Sequence, residues 1–288
     1  IAEGFLVTGL LIPMILPVNT PLWMIALATA FAVIFAKEVF GGTGYNIFNV
    51  ALVTRAFLFF AYPSMMSGDR VFVRTGGSFG MGRPEMVNGI AQTIDGFSGA
   101  TPLGQLAITD APHFASFGFT GVTGKPLTLS DMFWGFIPGS VGEVSTFAIL
   151  LGAILLISTG VGSWKTMLSV FLGGLFTISI VNLFAVNPIM EMPAHYHFLL
   201  GGFAFGAVFM ATDPVTSART EKGKWIHGFL IGLLAITIRV FNPGYPEGMM
   251  LAILLMNAFA PLIDFYVVDA NIKRRLKRVE AKNEVNKK

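Results

Sequence analysis

Residues 247–268 read Glu-Gly-Met-Met-Leu-Ala-Ile-Leu-Leu-Met-Asn-Ala-Phe-Ala-Pro-Leu-Ile-Asp-Phe-Tyr-Val-Val, and the chain then turns basic, with Lys273, Arg274, Arg275, Lys277 and Arg278 in quick succession. About 20 apolar residues cross the hydrocarbon core of a bilayer as a helix. Lysine and arginine crowded just beyond such a run mark its cytoplasmic end. This one stretch therefore predicts both a membrane span and its orientation.

Working back along the chain, further apolar runs fall at about 4–16, 21–37, 46–62, 144–162, 165–186, 196–212 and 224–241, so that eight candidate spans are expected, the first short and either broken or truncated. The expected fold class is an all-α polytopic membrane protein. Composition agrees: 54% of the residues are hydrophobic and 12% charged, with a mean hydropathy of +0.71, whereas soluble domains carry about 25% charged residues. Soluble enzymes, nucleic-acid-binding modules and disulfide scaffolds are excluded. The chain of 288 residues contains no cysteine, which removes structural disulfides, thiolate zinc sites, iron–sulfur clusters and thiol redox chemistry. Any electron carried here needs an organic cofactor.

Counting spans back from the basic tail puts Lys37, Lys165, Arg219, Lys222 and Lys224 on the cytoplasmic side, and the short loops 17–20, 187–195 and 242–246 on the other side contain no lysine or arginine. The net charge of +3 is therefore read as a topology signal, not as a nucleic-acid footprint. The expected organisation is membrane spans in 1–62, an extracytoplasmic loop over 63–143, membrane spans in 144–268 and a basic cytoplasmic tail over 269–288. The opening Ile1-Ala2-Glu3, with an apolar run already under way at Gly4, is expected to be the continuation of a longer protein. Gly44-Tyr45 and Ala56-Phe57 recur as Gly244-Tyr245 and Ala258-Phe259. That pattern is open to an inverted repeat, common in transporters, or to chance.

The outer loop holds glycine-rich pieces at 76–82 and 118–124, but neither follows a strand and opens a helix, so no dinucleotide fold is read there. Its most informative string is Asp95-Gly96-Phe97-Ser98-Gly99-Ala100-Thr101. Taken alone it is also compatible with a plain polar turn. Asp95 followed by Ser98-Gly99-Ala100-Thr101 resembles a flavinylation motif, in which the threonine hydroxyl is esterified to the phosphate of FMN by a separate flavin transferase. Small neighbours such as Gly99 and Ala100 suit that chemistry because the transferase must reach the hydroxyl.

Longer strings carry a wider resemblance. Ala36-Lys37-Glu38-Val39-Phe40-Gly41-Gly42-Thr43-Gly44, Arg55-Ala56-Phe57-Leu58-Phe59-Phe60-Ala61-Tyr62-Pro63, Ile137-Pro138-Gly139-Ser140-Val141-Gly142-Glu143 and Tyr245-Pro246-Glu247-Gly248-Met249-Met250 resemble the B subunit of the sodium-translocating NADH:quinone oxidoreductases, with the D subunit of the Rnf electron-transport complex as the nearest competitor. The resemblance implies a six-subunit complex of the bacterial inner membrane that passes electrons from NADH to ubiquinone while exporting sodium. It further implies a covalent FMN at Thr101 and a non-covalent riboflavin within the membrane part. Three departures stand out: the family's N-terminal region is absent, the loop between Asp69 and Asp95 is long, and the family's Asn-Pro-Ala reads Asn49-Val50-Ala51. A non-redox channel or small-solute transporter of similar helical build is the alternative class.

Charges inside spans cost about 2.5–3.5 kcal/mol on insertion scales and call for partners. Arg55 lies mid-span and is expected to meet a carboxylate, carbonyls or a flavin oxygen. Asn46 and Asn49, three apart, would share a helix face and reach a flavin ring edge, with capping of the helix start the alternative for Asn46. Glu143 precedes a span and suits a helix N-terminus. Asp213, Glu247 and Asp264 sit near span ends, and Asp213 and Asp264 match acidic positions that the resemblance implies in sodium uptake. For each, an interfacial helix-end charge is the alternative, and for Asp264 a pairing with Lys273 or Arg274. His195 and His197, two apart, point to different faces and are not expected to pair on a metal.

Overall fold

Short polar side chains set where the helices begin. In the computed structural model, which describes residues 4–17, 20–66, 85–87, 90–92, 101–121, 126–242, 244–245 and 247–285, the chain is helical apart from one small ribbon. The elements are α1 (Phe5–Ile15), α2 (Leu22–Ala36), α3 (Val50–Ala61), β1 (Glu85–Val87), β2 (Ile90–Gln92), α4 (Pro102–Ala107), α5 (Leu129–Trp134), α6 (Thr146–Ser158), α7 (Trp164–Leu183), α8 (Pro188–Glu191), α9 (Ala194–Leu199), α10 (Phe203–Phe205), α11 (Glu221–Phe241) and α12 (Met249–Val285). Strands β1 and β2 pair antiparallel, Val87 opposite Ile90. Asn49, Ser145, Ser163 and Thr220 each accept a hydrogen bond from a first-turn N–H of α3, α6, α7 and α11, which supplies the partner those exposed donors lack within the helix.

Among the described residues, four helical segments, Leu22–Phe40, Trp164–Leu183, Glu221–Phe241 and Met249–Glu280, are long and apolar enough to cross a membrane, with shorter apolar helices at Phe5–Ile15, Val50–Ala61 and Thr146–Ser158. The expected run at 196–212 is not a continuous helix. Gly201 and Gly202 take φ of +66° and +65°, a conformation that cannot continue a right-handed helix, so α9 stops there and α10 passes into a π-helical turn over Gly206–Met210. The run expected from 46 likewise begins only at Val50, because Gly41, Gly42 and Gly44 at positive φ hold an irregular entry. Asn46 and Asn49 therefore do not share a helix face. Beyond 268 the basic tail is no separate unit: α12 continues unbroken to Val285.

Helices α7 and α11 lie side by side and parallel, the broken α8–α10 segment returning the chain between them. Between apolar helices in lipid there is little hydrophobic gain, so small residues that allow close van der Waals packing dominate the contact. A Cβ at Gly173 would collide with the Phe229 carbonyl, one at Gly232 with the Val170 carbonyl, and one at Gly228 would stand 2.7 Å from the Thr166 carbonyl. Helix α12 runs antiparallel to α11: a Cβ on Gly223 would lie 2.6 Å from Asp264 Oδ1, while at the far end one on Gly248 would meet Ala235. Lys165 and Glu221 pair across the starts of α7 and α11, and Trp164 and Trp225 stack edge to face there at 5.9 Å. The basic residues expected on one side of the membrane thus gather at one end of the bundle. The outer faces stay apolar, with Leu22, Leu150, Ile154, Leu155, Phe176 and Leu183 exposed.

Candidate functional site

Arg55, buried in the middle of α3, lies between two carboxylates brought from distant loops. Its Nη1 donates to Glu143 Oε1 at 2.7 Å, and its Nη2 pairs with Glu247 Oε2. Glu143 does not serve a helix N-terminus as expected; Ser145 caps α6, and Glu143 turns inward to the guanidinium. A second buried guanidinium closes the arrangement from α11. Arg239 donates to the carbonyls of His197 at 2.6 Å, Leu200 at 3.1 Å, Gly201 at 3.4 Å and Glu247 at 3.2 Å. It thereby satisfies the carbonyls that the break after α9 leaves without helical partners, and irregular backbone at membrane depth is tolerated only when so satisfied. Two arginines against two glutamates leave the centre formally neutral. Tyr245, also buried, lines a small cavity with Arg55, Glu143 and Glu247 and packs its ring on Phe59 at 4.7 Å.

Above this centre sits α4. Thr101 is its N-cap: Thr101 Oγ1 accepts from Gly104 N–H at 3.1 Å, and Pro102, Leu103 and Leu106 are buried beneath. Gln105 ties the same helix to the following loop, donating to the Thr120 carbonyl at 2.7 Å and accepting from its N–H at 3.0 Å. Leu103 rests directly on Gly201. The hydroxyl oxygen of the half-buried Thr101 thus points at the first turn of a short helix. Asp95, Ser98, Gly99 and Ala100 lie outside the described residues.

At the other end, Asp213 and Asp264 hold the connection between the π-helical turn and α11. Asp213 accepts from Val215 N–H at 3.1 Å, Thr216 Oγ1 at 3.0 Å and Asn49 Nδ2 at 3.4 Å. Asp264 accepts from Arg219 N–H at 2.7 Å and from Thr220 N–H and Oγ1 at 3.0 and 2.6 Å. Its expected alternative partner Lys273 is paired with Asp269 at 2.7 Å instead. Asn46, Thr216, Asn257 and Asp264 line one cleft of about 410 Å³. Asn257, buried on α12, accepts from Asn49 N–H at 3.2 Å in the amide orientation that satisfies both of its ends.

Of the three side chains expected at a flavin ring, Asn49 is engaged by its cap and by Asp213, and Arg55 by its two glutamates; Asn46 alone borders open space. The sequence reading missed Arg239, Asn257 and the inward role of Glu143. The signal for the first two was present: Arg239 is a charge inside the apolar run 228–241, and Asn257 a lone polar residue in the run 249–263.

Taken together, these features define a polytopic helical membrane protein with broken helices converging on a buried, charge-balanced centre. The chain belongs to the NQR2, RnfD, RnfE family, whose profile matches residues 2–273. It is 49% identical over 282 residues to the B subunit of the Na(+)-translocating NADH-quinone reductase of Yersinia pestis, a match covering 97% of this chain and 63% of that protein. The proteins of the same name from Klebsiella pneumoniae (strain 342) and Ectopseudomonas mendocina (strain ymp) are 48% and 49% identical, each over 96% of this chain and 62% of their own length. The chain therefore spans a little under two thirds of the relatives it matches.

Proposed function

We propose that this chain is the flavin-carrying membrane part of a sodium-translocating NADH:ubiquinone oxidoreductase, acting with the other members of a six-subunit complex in the bacterial inner membrane, its basic tail cytoplasmic and residues 63–143 outside. The observation that carries the reading is the placement of Thr101 at the start of α4, its hydroxyl oxygen held by Gly104 N–H and the helix seated on the Gly201 break. A flavin transferase would attach FMN there through a phosphoester, and the attached flavin would supply electron transfer. The chain's own contribution is positional: a covalent tether replaces a binding equilibrium by a permanently high effective concentration, and α4 fixes where the tether begins. A non-covalent riboflavin would be held in the cleft bordered by Asn46. Asp264, which opens on the same cleft, and Asp213, bonded to the cleft residue Thr216, are hard oxygen ligands that would form part of the sodium entry route. An Rnf-type electron-transport subunit is the second reading, favoured by the shared family profile.

The test is in-gel flavin fluorescence of the denatured chain. Thr101→Ala abolishes it, but also removes a helix cap worth about 1 kcal/mol. Thr101→Asn keeps a capping oxygen and lacks the hydroxyl, so loss of fluorescence in both variants, with retention in Thr101→Ser, assigns the attachment to the hydroxyl. Full fluorescence in Thr101→Asn would place the flavin elsewhere or remove it from this reading.

A further inference from the structure

A groove of about 390 Å³ runs between α11 and α12 at the end of the bundle that carries the basic tail. Its walls are two helical stripes. Lys222 and Ile226, four apart, come from α11; Ile263, Val267, Ala270 and Arg274, spaced by four, three and four, come from α12. Each stripe carries a cation at its outer end and apolar groups below. From Arg274 to Ile263 the helix rises about 16 Å, close to the depth of one leaflet's acyl region. Tyr266 and Asn271 line the groove as well.

The charge balance around the groove is uneven. Neighbouring carboxylates are already taken, Glu221 by Lys165 and by Lys224 at 2.7 Å, and Asp269 by Lys273 at 2.7 Å. Lys222 and Arg274 have no ion-pair partner among the described residues, although both border a cavity whose floor is almost wholly apolar. Two free cations over an apolar slot at a membrane surface match an amphiphile with an anionic head and hydrocarbon tails.

We propose that this groove binds one anionic phospholipid, its phosphate between Lys222 and Arg274 and an acyl chain along Ile226, Ile263 and Val267. The headgroup chemistry alone would also suit free phosphate; the apolar wall, continuous for about two helical turns from Ile263 to Ala270, commits the site to a lipid.

The experiment uses the full chain in nanodiscs of phosphatidylglycerol and phosphatidylcholine at roughly 1:4, so that the anionic lipid is the minority species, followed by native mass spectrometry of the lipid retained on release. The protein retains phosphatidylglycerol in preference to phosphatidylcholine, and Lys222→Gln with Arg274→Gln lowers that preference roughly tenfold. Lys277→Gln with Arg278→Gln, on the same tail but away from the groove, leaves it unchanged, and Lys222→Arg with Arg274→Lys retains it. Equal loss in the two glutamine pairs would reduce the effect to diffuse surface charge and overturn the site. Displacement of the retained lipid by millimolar inorganic phosphate would overturn the lipid as its occupant. Val267→Asp, with both cations intact, abolishes retention if the acyl chain lies where stated; undiminished retention would overturn that placement.

Discussion

Leu103 Cδ1 lies against the backbone of Gly201 so closely that a Cβ at position 201 would overlap it, and the same Cβ would stand 2.9 Å from Arg239 Nη2. The helix that begins at Thr101 is therefore seated on the helix break whose carbonyls Arg239 satisfies.

Gly201→Ala is expected to act on both at once. A side chain in the left-handed conformation costs about 1–2 kcal/mol, and the new methyl must push Leu103 or Arg239 aside. The thermal unfolding temperature should fall by several degrees, and the flavin attachment proposed at Thr101 should fall with it. Gly244→Ala, where a Cβ meets only Asn242 Oδ1 at 3.4 Å, is the control and should leave both unchanged. An unaltered flavin content in a destabilised Gly201→Ala protein would show that α4 finds its position without this contact.

The ion-pair centre yields a sharper asymmetry. Removing one partner of a buried pair leaves the other charge uncompensated, at about 3–5 kcal/mol, whereas replacing the whole set by neutral groups of similar volume is often close to neutral. Arg55→Met should accordingly be severe, because Glu143 and Glu247 lose their common partner. The triple variant Arg55→Met, Glu143→Gln, Glu247→Gln should recover much of the loss in a denaturation or detergent-challenge assay. If the triple variant is as unstable as the sum of the singles, the three groups do not form one electrostatic unit.

Much of this architecture was legible in the sequence because lipid enforces it. Apolar runs such as 165–186 and 224–241 have few alternatives to a spanning helix, and Lys165 and Lys222 gather at the same end as the tail, as their alternation demands. The site was less legible. Arg55 announced a need for a partner, yet two glutamates 88 and 192 residues away supply it, and neither carries a local mark of pointing inward. The broken run at 196–212 was missed because hydropathy registers Gly201-Gly202 as weakly apolar, while their effect lies in backbone conformation, to which hydropathy is blind.

On the loop side, Glu191 gathers the 113–116 turn: His113 Nδ1 lies 2.7 Å from its Oε1, and Phe114 N–H donates to Oε2 at 2.8 Å. The hydrogen bond from His113, followed by that from Phe114, holds its carboxyl below the ordinary glutamate value. A depressed folded-state pKa means the clamp is fully present above the unfolded value of about 4.3 and is lost as pH falls through the lower folded value. Hydrogen exchange at 114–117, corrected for intrinsic rate, should therefore accelerate on acidification below that range. In Glu191→Gln it should be fast already at neutral pH and vary little. A wild-type rate independent of pH would remove Glu191 as the clamp.

Asp264 holds the start of α11 and also lines the polar cleft, and the two roles predict different losses. Its oxygens accept from Arg219 N–H, Thr220 N–H and Thr220 Oγ1, so Asp264→Ala should destabilise by about 1–3 kcal/mol from the unsatisfied donors alone. Asp264→Asn keeps one acceptor oxygen and removes the charge; Asp264→Glu keeps the charge and shifts its reach. If the carboxylate also takes part in sodium entry, Asp264→Asn should raise the sodium concentration for half-maximal quinone reduction at matched flavin content, with Asp264→Glu milder. Asp213 offers an internal comparison, because Asn49 and Thr216 bind it from α3 and its own turn. Asp213→Asn should therefore shift the same curve while sparing the α11 start. Should both asparagine variants lose stability yet keep the wild-type sodium curve, the two carboxylates are structural ties for the 213–220 connection and have no part in the proposed sodium route.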